Sequence, residues 1–320
     1  MTKGSLNEDS SHIGNVDISV ESEAESSDDP KQVNALCYYR LVPKSASPLS
    51  LSLEGEESAQ SSHYMICLLA STDALLDLFR PDLDAFCCQL VVQLNSFDTD
   101  CIEKEAQRLL CNWYQTTATY LCSCLAKFNS NIKFIIYASV MNAKVEVRGA
   151  DDELCTQVER FVKCCSLSEM LNSSEMSGSG SGDILLVDTK VMAESTSHTS
   201  PLIIEFKDGA FTFSNHACTK YCEDWAMALT QGDMNNPAYL KQVIDNYKLK
   251  AIQDLNTLKR HVRQAEASHY SLFKCLTYLQ SCGNEAVLMR LAQNELQSSS
   301  ESSSVLSVLN EYIQENSHQI

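Results

Sequence analysis

Residues 237–281 read PAYLKQVIDNYKLKAIQDLNTLKRHVRQAEASHYSLFKCLTYLQS, with Gly283 just beyond. From Ala251 onward, Leu255, Leu258, Val262, Ala265, His269, Leu272, Leu276 and Leu279 succeed one another at steps of four and three, the seam of a packed helix. Upstream, Leu240, Ile244 and Tyr247 continue the stripe with one extra step of four before Ala251. A flank of Ile252, Tyr270 and Phe273 widens the apolar face beyond a two-stranded seam, which predicts packing on a globular body. Asn235 and Asn236 supply caps, Pro237 suits the first turn, and Gly283 can take the left-handed conformation that stops a helix. The reading is one long helix over 237–281, bent near the irregularity at Tyr247 to Leu255. At about 1.5 Å per residue it reaches roughly 68 Å, so it is expected to bridge two bodies, break midway, or offer part of its length to a partner.

Composition sets the outer bounds. The 320 residues are 44% hydrophobic, enough for one large or two modest domains. The formal net charge of -18 argues against general nucleic-acid binding, which draws on clustered Lys and Arg. No apolar run approaches a membrane span and the first thirty residues are polar and acidic, so a cytosolic protein is expected. The fifteen cysteines are scattered, mostly inside apolar runs, and form no C-x-x-C, which fits reduced thiols acting as small hydrophobes.

Residues 1–34 are rich in Ser, Glu and Asp and read as a disordered acidic tail. An α+β domain is expected over 35–217. It opens with ALCYYRLV and HYMICLLAS as an antiparallel pair around the Ser- and Glu-containing loop LSLSLEGEESAQSS. Ser71, Thr72 or Asp73 caps a helix through Leu94 that kinks at Pro81, and a second helix spans Cys101 to Lys127. KFIIYASV and AKVEVRG are predicted to form a hairpin turning near Asn142, and DDELCTQVERFVKCCSLSEML a helix with an acidic first turn. Residues 172–182 form a flexible Gly/Ser linker, followed by the strand DILLVDTKVM and a hairpin of PLIIEF and AFTFSN across Asp208 and Gly209. These strands are expected to join one mixed or antiparallel sheet between Ala35 and Asn215. Residues 218–320 are read as all helical: YCEDWAMAL, the long helix, then NEAVLMRLAQNEL and SVLSVLNEYIQEN parted by a Ser-rich break at 298–304.

Motifs that carry chemistry are weak. Gly178, Gly180 and Gly182 precede a strand, the reverse of a phosphate loop's order. His216, Cys218 and Cys222 lack a second ligand pair, so buried thiols are the better reading and no metal is assigned. Glu223 and Asp224 suit a helix dipole without needing a catalytic role, and His269 on the seam reads as a hydrogen-bonded core histidine. No catalytic, cofactor or metal residues are assigned.

YCEDW, NYKLKAIQDLNTLKR and RQAEASHYSLFKC resemble the most characteristic block of the Njmu-R protein family, also called spermatogenesis-related proteins. The likeness is strong from Tyr221 to Gly283, looser from Cys37 to about Leu94, and faint at the last helix. It does not extend over the acidic tail, the Gly/Ser linker or the Ser-rich break. The resemblance implies a non-enzymatic subunit of a trans-Golgi complex. Its partners there would be a large WD-repeat protein and a second scaffold subunit, helping golgins capture endosome-derived, clathrin-adaptor-dependent vesicles. It transfers no cofactor and no catalytic residue, and it places the chain peripherally at the trans-Golgi network and cytoplasmic vesicles.

The residues themselves support a binding module. The long helix carries seven Lys and Arg against Asp245, Asp254 and Glu266, a local excess of +4. Lys248, Lys259, Arg260 and Arg263 are the candidate partner-binding residues, for an acidic protein surface or, in the alternative reading, for anionic lipid contacted by a peripheral membrane adaptor. A solvated face offsetting the chain's own acidic segments is the plain alternative to both.

Overall fold

A computed structural model describes residues 11–20, 31–43, 63–71, 75–94, 102–168, 170–171, 200–266, 268–296 and 300–317. The expected loop at 49–62, the caps Thr72 and Asp73, the linker at 172–182 and the strand DILLVDTKVM lie outside them. The architecture is α+β, and the chain divides into two compact units, Met1–Thr119 and Tyr120–Ile320. The boundary expected at 217/218 falls inside the second unit, because Leu202 and Ile204 share one core with Trp225, Leu240 and Leu258.

The first unit holds an antiparallel sheet of β1 (His12–Val20), β2 (Lys31–Pro43) and β3 (His63–Ala70) in that order. The pairing of β2 with β3 agrees with the sequence; β1 does not, since its residues were assigned to a disordered tail. Averaged composition hid HIGNVDISV, whose branched residues pair with β2 from His12 opposite Tyr39 to Val20 opposite Lys31. Helix α1 (Arg80–Leu94) covers one sheet face through Tyr38, whose hydroxyl donates to Asp84 at 2.7 Å, and Arg40, which donates to the Asp84 carbonyl at 3.0 Å. Pro81 sits in the first turn of α1, after a 3-10 turn at Leu76–Phe79, so it opens the helix instead of kinking it. Helix α2 (Ile102–Tyr114) packs Trp113 against Phe86 and runs into a π-helical stretch, Gln115–Thr119. The expected Cys101–Lys127 helix is therefore interrupted.

In the second unit, α3 (Tyr120–Phe128) is followed by α4 (Ile132–Val140), which overturns the hairpin expected from KFIIYASV. The run is buried nearly all round, and a short apolar stretch without period is equally compatible with strand and helix. Ser139 shows which won: its hydroxyl donates to the Ile135 carbonyl one turn back at 2.7 Å. AKVEVRG does give β4 (Val145–Arg148), but it pairs in parallel with β5 (Leu202–Lys207). Helix α5 (Asp152–Cys165) lies between them, capped by the Asp151 carboxylate, which accepts from the Leu154 N–H. β5 turns back to β6 (Ala210–Ser214) through Asp208 and Gly209, both at positive φ, as the hairpin reading required. The order β4-β5-β6 makes a second, separate three-stranded sheet, so the single sheet expected from Ala35 to Asn215 is two.

The helical region begins with α6 (Lys220–Gln231). The 237–281 stretch is not one spine. It forms α7 (Pro237–Ala265) and α8 (His269–Cys282), parted at Glu266–Ser268, and the two pack together: the Tyr278 hydroxyl donates to the Asp254 carbonyl at 3.2 Å and its ring lies 5.4 Å from His261. Ser268 adopts an extended backbone and its carbonyl accepts from Leu272 N–H, which starts the new helix. The break lies beyond the predicted bend at 247–255. Both expected ends hold: Asn236 accepts from Ala238 and Tyr239, and Gly283 stops α8 at φ 64°. Helices α9 (Glu285–Leu296) and α10 (Ser300–Ser317) complete the unit, with Ser300–Ser304 helical where a break was expected.

Candidate functional site

The buried stripe of α7 includes Leu240, Ile244, Lys248, Ala251, Leu255, Leu258 and Val262, spaced by fours and threes that alternate from Ile244 onward. The extra step of four read at Tyr247–Ala251 moves to the start of the helix, Leu240 to Ile244 to Lys248, once Lys248 occupies the stripe. Only 7% of Lys248 is exposed, and its ammonium donates to the Cys164 carbonyl at 3.0 Å in the last turn of α5. A cation there satisfies a carbonyl that α5 leaves without an intrahelical donor and complements the negative end of its dipole.

This location corrects the expected basic patch. Lys248 ties α7 to α5, and Lys259 is ion-paired with Glu295 of α9, both side chains being more than three-quarters buried. Of the four candidates, Arg260 and Arg263 are exposed. They lie on the outward stripe of α7, opposite the stripe that carries Leu255, Leu258 and Val262.

The YCEDW string is a packing element. Trp225 is fully buried and stacks on Tyr247 at 5.4 Å with their planes 6° apart, while Tyr221 meets the edge of that pair and donates its hydroxyl to the Tyr247 carbonyl. Burial pushes up the Tyr221 phenol, which keeps it a donor. The adjacent acids are paired outward: Glu223 accepts from Lys133 at 2.9 Å, and Asp224 pairs with Lys220 one turn away. Each thus holds a cation.

His216, Cys218 and Cys222 are not brought together as ligands. The His216 ring packs on Phe134 at 4.5 Å, with Nδ1 bonded to the Phe213 carbonyl at 3.1 Å. Burial pushes the Cys222 thiol up to about 12 and, aided by Glu223, the Cys218 thiol up to about 11. Among the described residues no group of three or more His, Cys, Asp or Glu side chains is arranged to hold a metal ion. His269 is exposed at the start of α8, so it is not the core histidine expected from the seam. A cleft of about 340 Å³ opens beside α4, lined by Phe134, Tyr137, Met141, Leu202, Asn215 and His216. Its Asn215 amide donates to the Pro201 carbonyl at 3.1 Å, so both Asn215 and His216 are bonded to backbone, and Ser200 and Tyr137 are the other polar side chains that line it.

Two surfaces escaped the sequence reading. On the first sheet, the face turned away from α1 exposes Met65, Cys67 and Leu69 of β3. On α8, Tyr270 and Phe273, expected to widen the buried flank, are 67% and 63% exposed. Their spacing of three residues matched the helix period, but the period fixes which residues share a face and leaves open what covers it.

The sequence profile of the Njmu-R1-like protein family matches residues 1–315. The match runs across the acidic N-terminal, Gly/Ser and Ser-rich segments, where the resemblance by motif had stopped. Protein Njmu-R1 of Mus musculus is 30% identical over 281 residues, which cover 87% of this chain and 68% of the mouse protein. No solved structure matches the chain. Together with the YCEDW packing element and the α7–α8 hairpin, a profile match over nearly every residue means that the chain belongs to the Njmu-R1-like protein family.

Proposed function

We propose that this chain is a non-enzymatic subunit of a trans-Golgi vesicle-capture complex. It acts with a large WD-repeat protein and a second scaffold subunit, and through them with golgins that capture endosome-derived, clathrin-adaptor-dependent vesicles. The observation that carries the reading is membership of the Njmu-R1-like family over residues 1–315. The geometry supports it: Glu223, Asp224, Lys248 and Lys259 serve ion pairs and helix ties, while Arg260, Arg263, Tyr270 and Phe273 face outward. Among the described residues no helix is long and apolar enough to cross a membrane, which is compatible with peripheral residence at the trans-Golgi network and on vesicles.

The test is affinity purification of the tagged full chain from cell lysate with mass spectrometry, beside imaging against a trans-Golgi marker. Recovery of a large WD-repeat protein in near-stoichiometric yield is the expected result; a tagged chain that returns without one overturns the proposal. The docking residues are narrowed to Arg260 and Arg263, because reversing Lys259 would place two carboxylates together beside Glu295. The double reversal R260E/R263E is expected to leave the melting temperature nearly unchanged and to reduce WD-repeat recovery in a salt-dependent way.

A further inference from the structure

The two most exposed aromatic side chains among the described residues, Tyr270 and Phe273, stand three residues apart in the first turns of α8 and therefore on one face. The opposite face of α8 is sealed through Cys275 and Leu279, so the rings cannot turn inward without unpacking the hairpin. Lys274 places its ammonium 4.7 Å from the Tyr270 ring centroid. Just before the break that starts α8, Arg260 and Arg263 are exposed along the last turns of α7. The acid within this end of the hairpin is Glu266, and one of its oxygens accepts from Ser302. One basic residue thus lies over an exposed ring and two more stand exposed on the same hairpin within about three turns of the break, in a chain of net charge -18.

We infer that the α7–α8 turn docks on an anionic lipid surface, with Tyr270 and Phe273 entering the headgroup layer and Arg260, Arg263 and Lys274 meeting lipid phosphates. Charge complementarity selects an anionic partner, and the rings select among anionic partners. An acidic protein segment needs shaped pockets to take two projecting rings. A bilayer interface accepts aromatic side chains without shape matching and holds phosphates at the same depth. Lys274 suits that depth, because its ammonium lies over the face of the Tyr270 ring and its long stem lets that charge swing to a phosphate. This goes beyond the tethering reading, since lipid contact needs no other subunit.

The experiment is flotation of the purified full chain with vesicles of phosphatidylcholine alone and of phosphatidylcholine with about one-third phosphatidylserine, an anionic fraction large enough for basic residues to respond to. The chain is expected to float with the anionic vesicles, to float weakly with the neutral ones, and to lose binding as salt is raised. Y270S/F273S is expected to lower the partition coefficient at least tenfold, and R260E/R263E to lower it on anionic vesicles specifically. F273W supplies a direct readout, because a tryptophan at this position should shift its emission to the blue on anionic vesicles and be quenched by brominated lipid. Either of two results overturns the inference: wild-type chain that stays at the bottom of the gradient, or Y270S/F273S floating as wild type does. Binding of an acidic polypeptide to the same face without any flotation also overturns it, and makes the face a protein dock. Co-purification of the WD-repeat protein by Y270S/F273S, measured separately, shows whether the tethering proposal stands or falls on its own.

Discussion

The inner stripe of α7 is mostly aliphatic and the outer face of α8 carries two aromatic rings, both apolar, yet one is sealed and the other meets water. Leu255, Leu258 and Val262 lie in a core with Trp225 and Leu288, whereas Tyr270 and Phe273 project from the partner helix of the same hairpin. In the sequence an alternation of fours and threes runs from one helix into the next, but the sealed residues of α8 are Cys275 and Leu279, and His269, which the alternation places on the seam, is exposed. Periodicity therefore identifies a face, and only the packing partner decides whether that face is core or surface. Lys248 makes the same point in reverse, being a charged residue on the sealed stripe whose ammonium finds a helix-end carbonyl.

The largest effect is expected inside. Leu258→Ala should cost about 2–5 kcal/mol of stability through lost burial and the cavity left behind. Chemical denaturation would measure it, and an unchanged midpoint would mean the stripe is not the core. Next comes Lys248→Ala, which strips the Cys164 carbonyl of its donor and removes buried methylenes, at about 1–3 kcal/mol. Lys248→Arg should recover less than a conservative exchange would suggest, since a planar guanidinium replaces a compact ammonium at a single carbonyl.

The comparison sharpens further through the thiols. Burial pushes Cys124 and Cys222 up to about 12, so at pH 8 they remain protonated, and the thiolate is the nucleophile. Alkylation of the native chain at pH 8 should label the exposed Cys67, Cys88 and Cys111 and spare Cys124 and Cys222 until denaturant is added. Peptide mapping by mass spectrometry reads this directly, and early modification of Cys222 would mean that α6 opens readily. The smallest effect is expected outside: Y270S/F273S should shift the melting temperature by no more than a degree or two, because both rings are already largely in water.

Features decided by neighbouring residues were legible in the sequence. The acidic first turn of α5, the Asn236–Pro237 start, the Asp208–Gly209 turn and the Gly283 stop each follow from the chemistry of the residues at that point, and all are present. Features decided by distant residues were not. The run at Ile132–Val140 becomes a helix because it is enclosed on nearly every side, which no alternation could announce. β1 forms because β2 accepts it, although the residues around it are polar and acidic. Lys248 could have been found: counting onward from Ile244 by four and three passes through it to Ala251, and a charged residue on an otherwise apolar stripe signals a buried partner. Lys259 could not, because Glu295 reaches it from a separate helix.

One backbone contact has a topological meaning. The N–H of Tyr221 donates to the carbonyl of Gly283 at 3.0 Å, and beside it Thr219 donates to the buried Asn284 side chain at 3.4 Å. The chain that leaves at α6 and passes through the α7–α8 hairpin comes back to its own point of departure, like a purse drawn shut at the neck. The clasp fixes where the segment begins and ends, while its flanks are held by the rest of the unit: Lys133 of α4 pairs with Glu223, Lys248 reaches the end of α5, and Glu295 of α9 holds Lys259. The same span, Tyr221 to Gly283, is where the resemblance to the family is strongest, so the part most alike is a loop of chain closed on itself and braced on its sides by the rest of its unit.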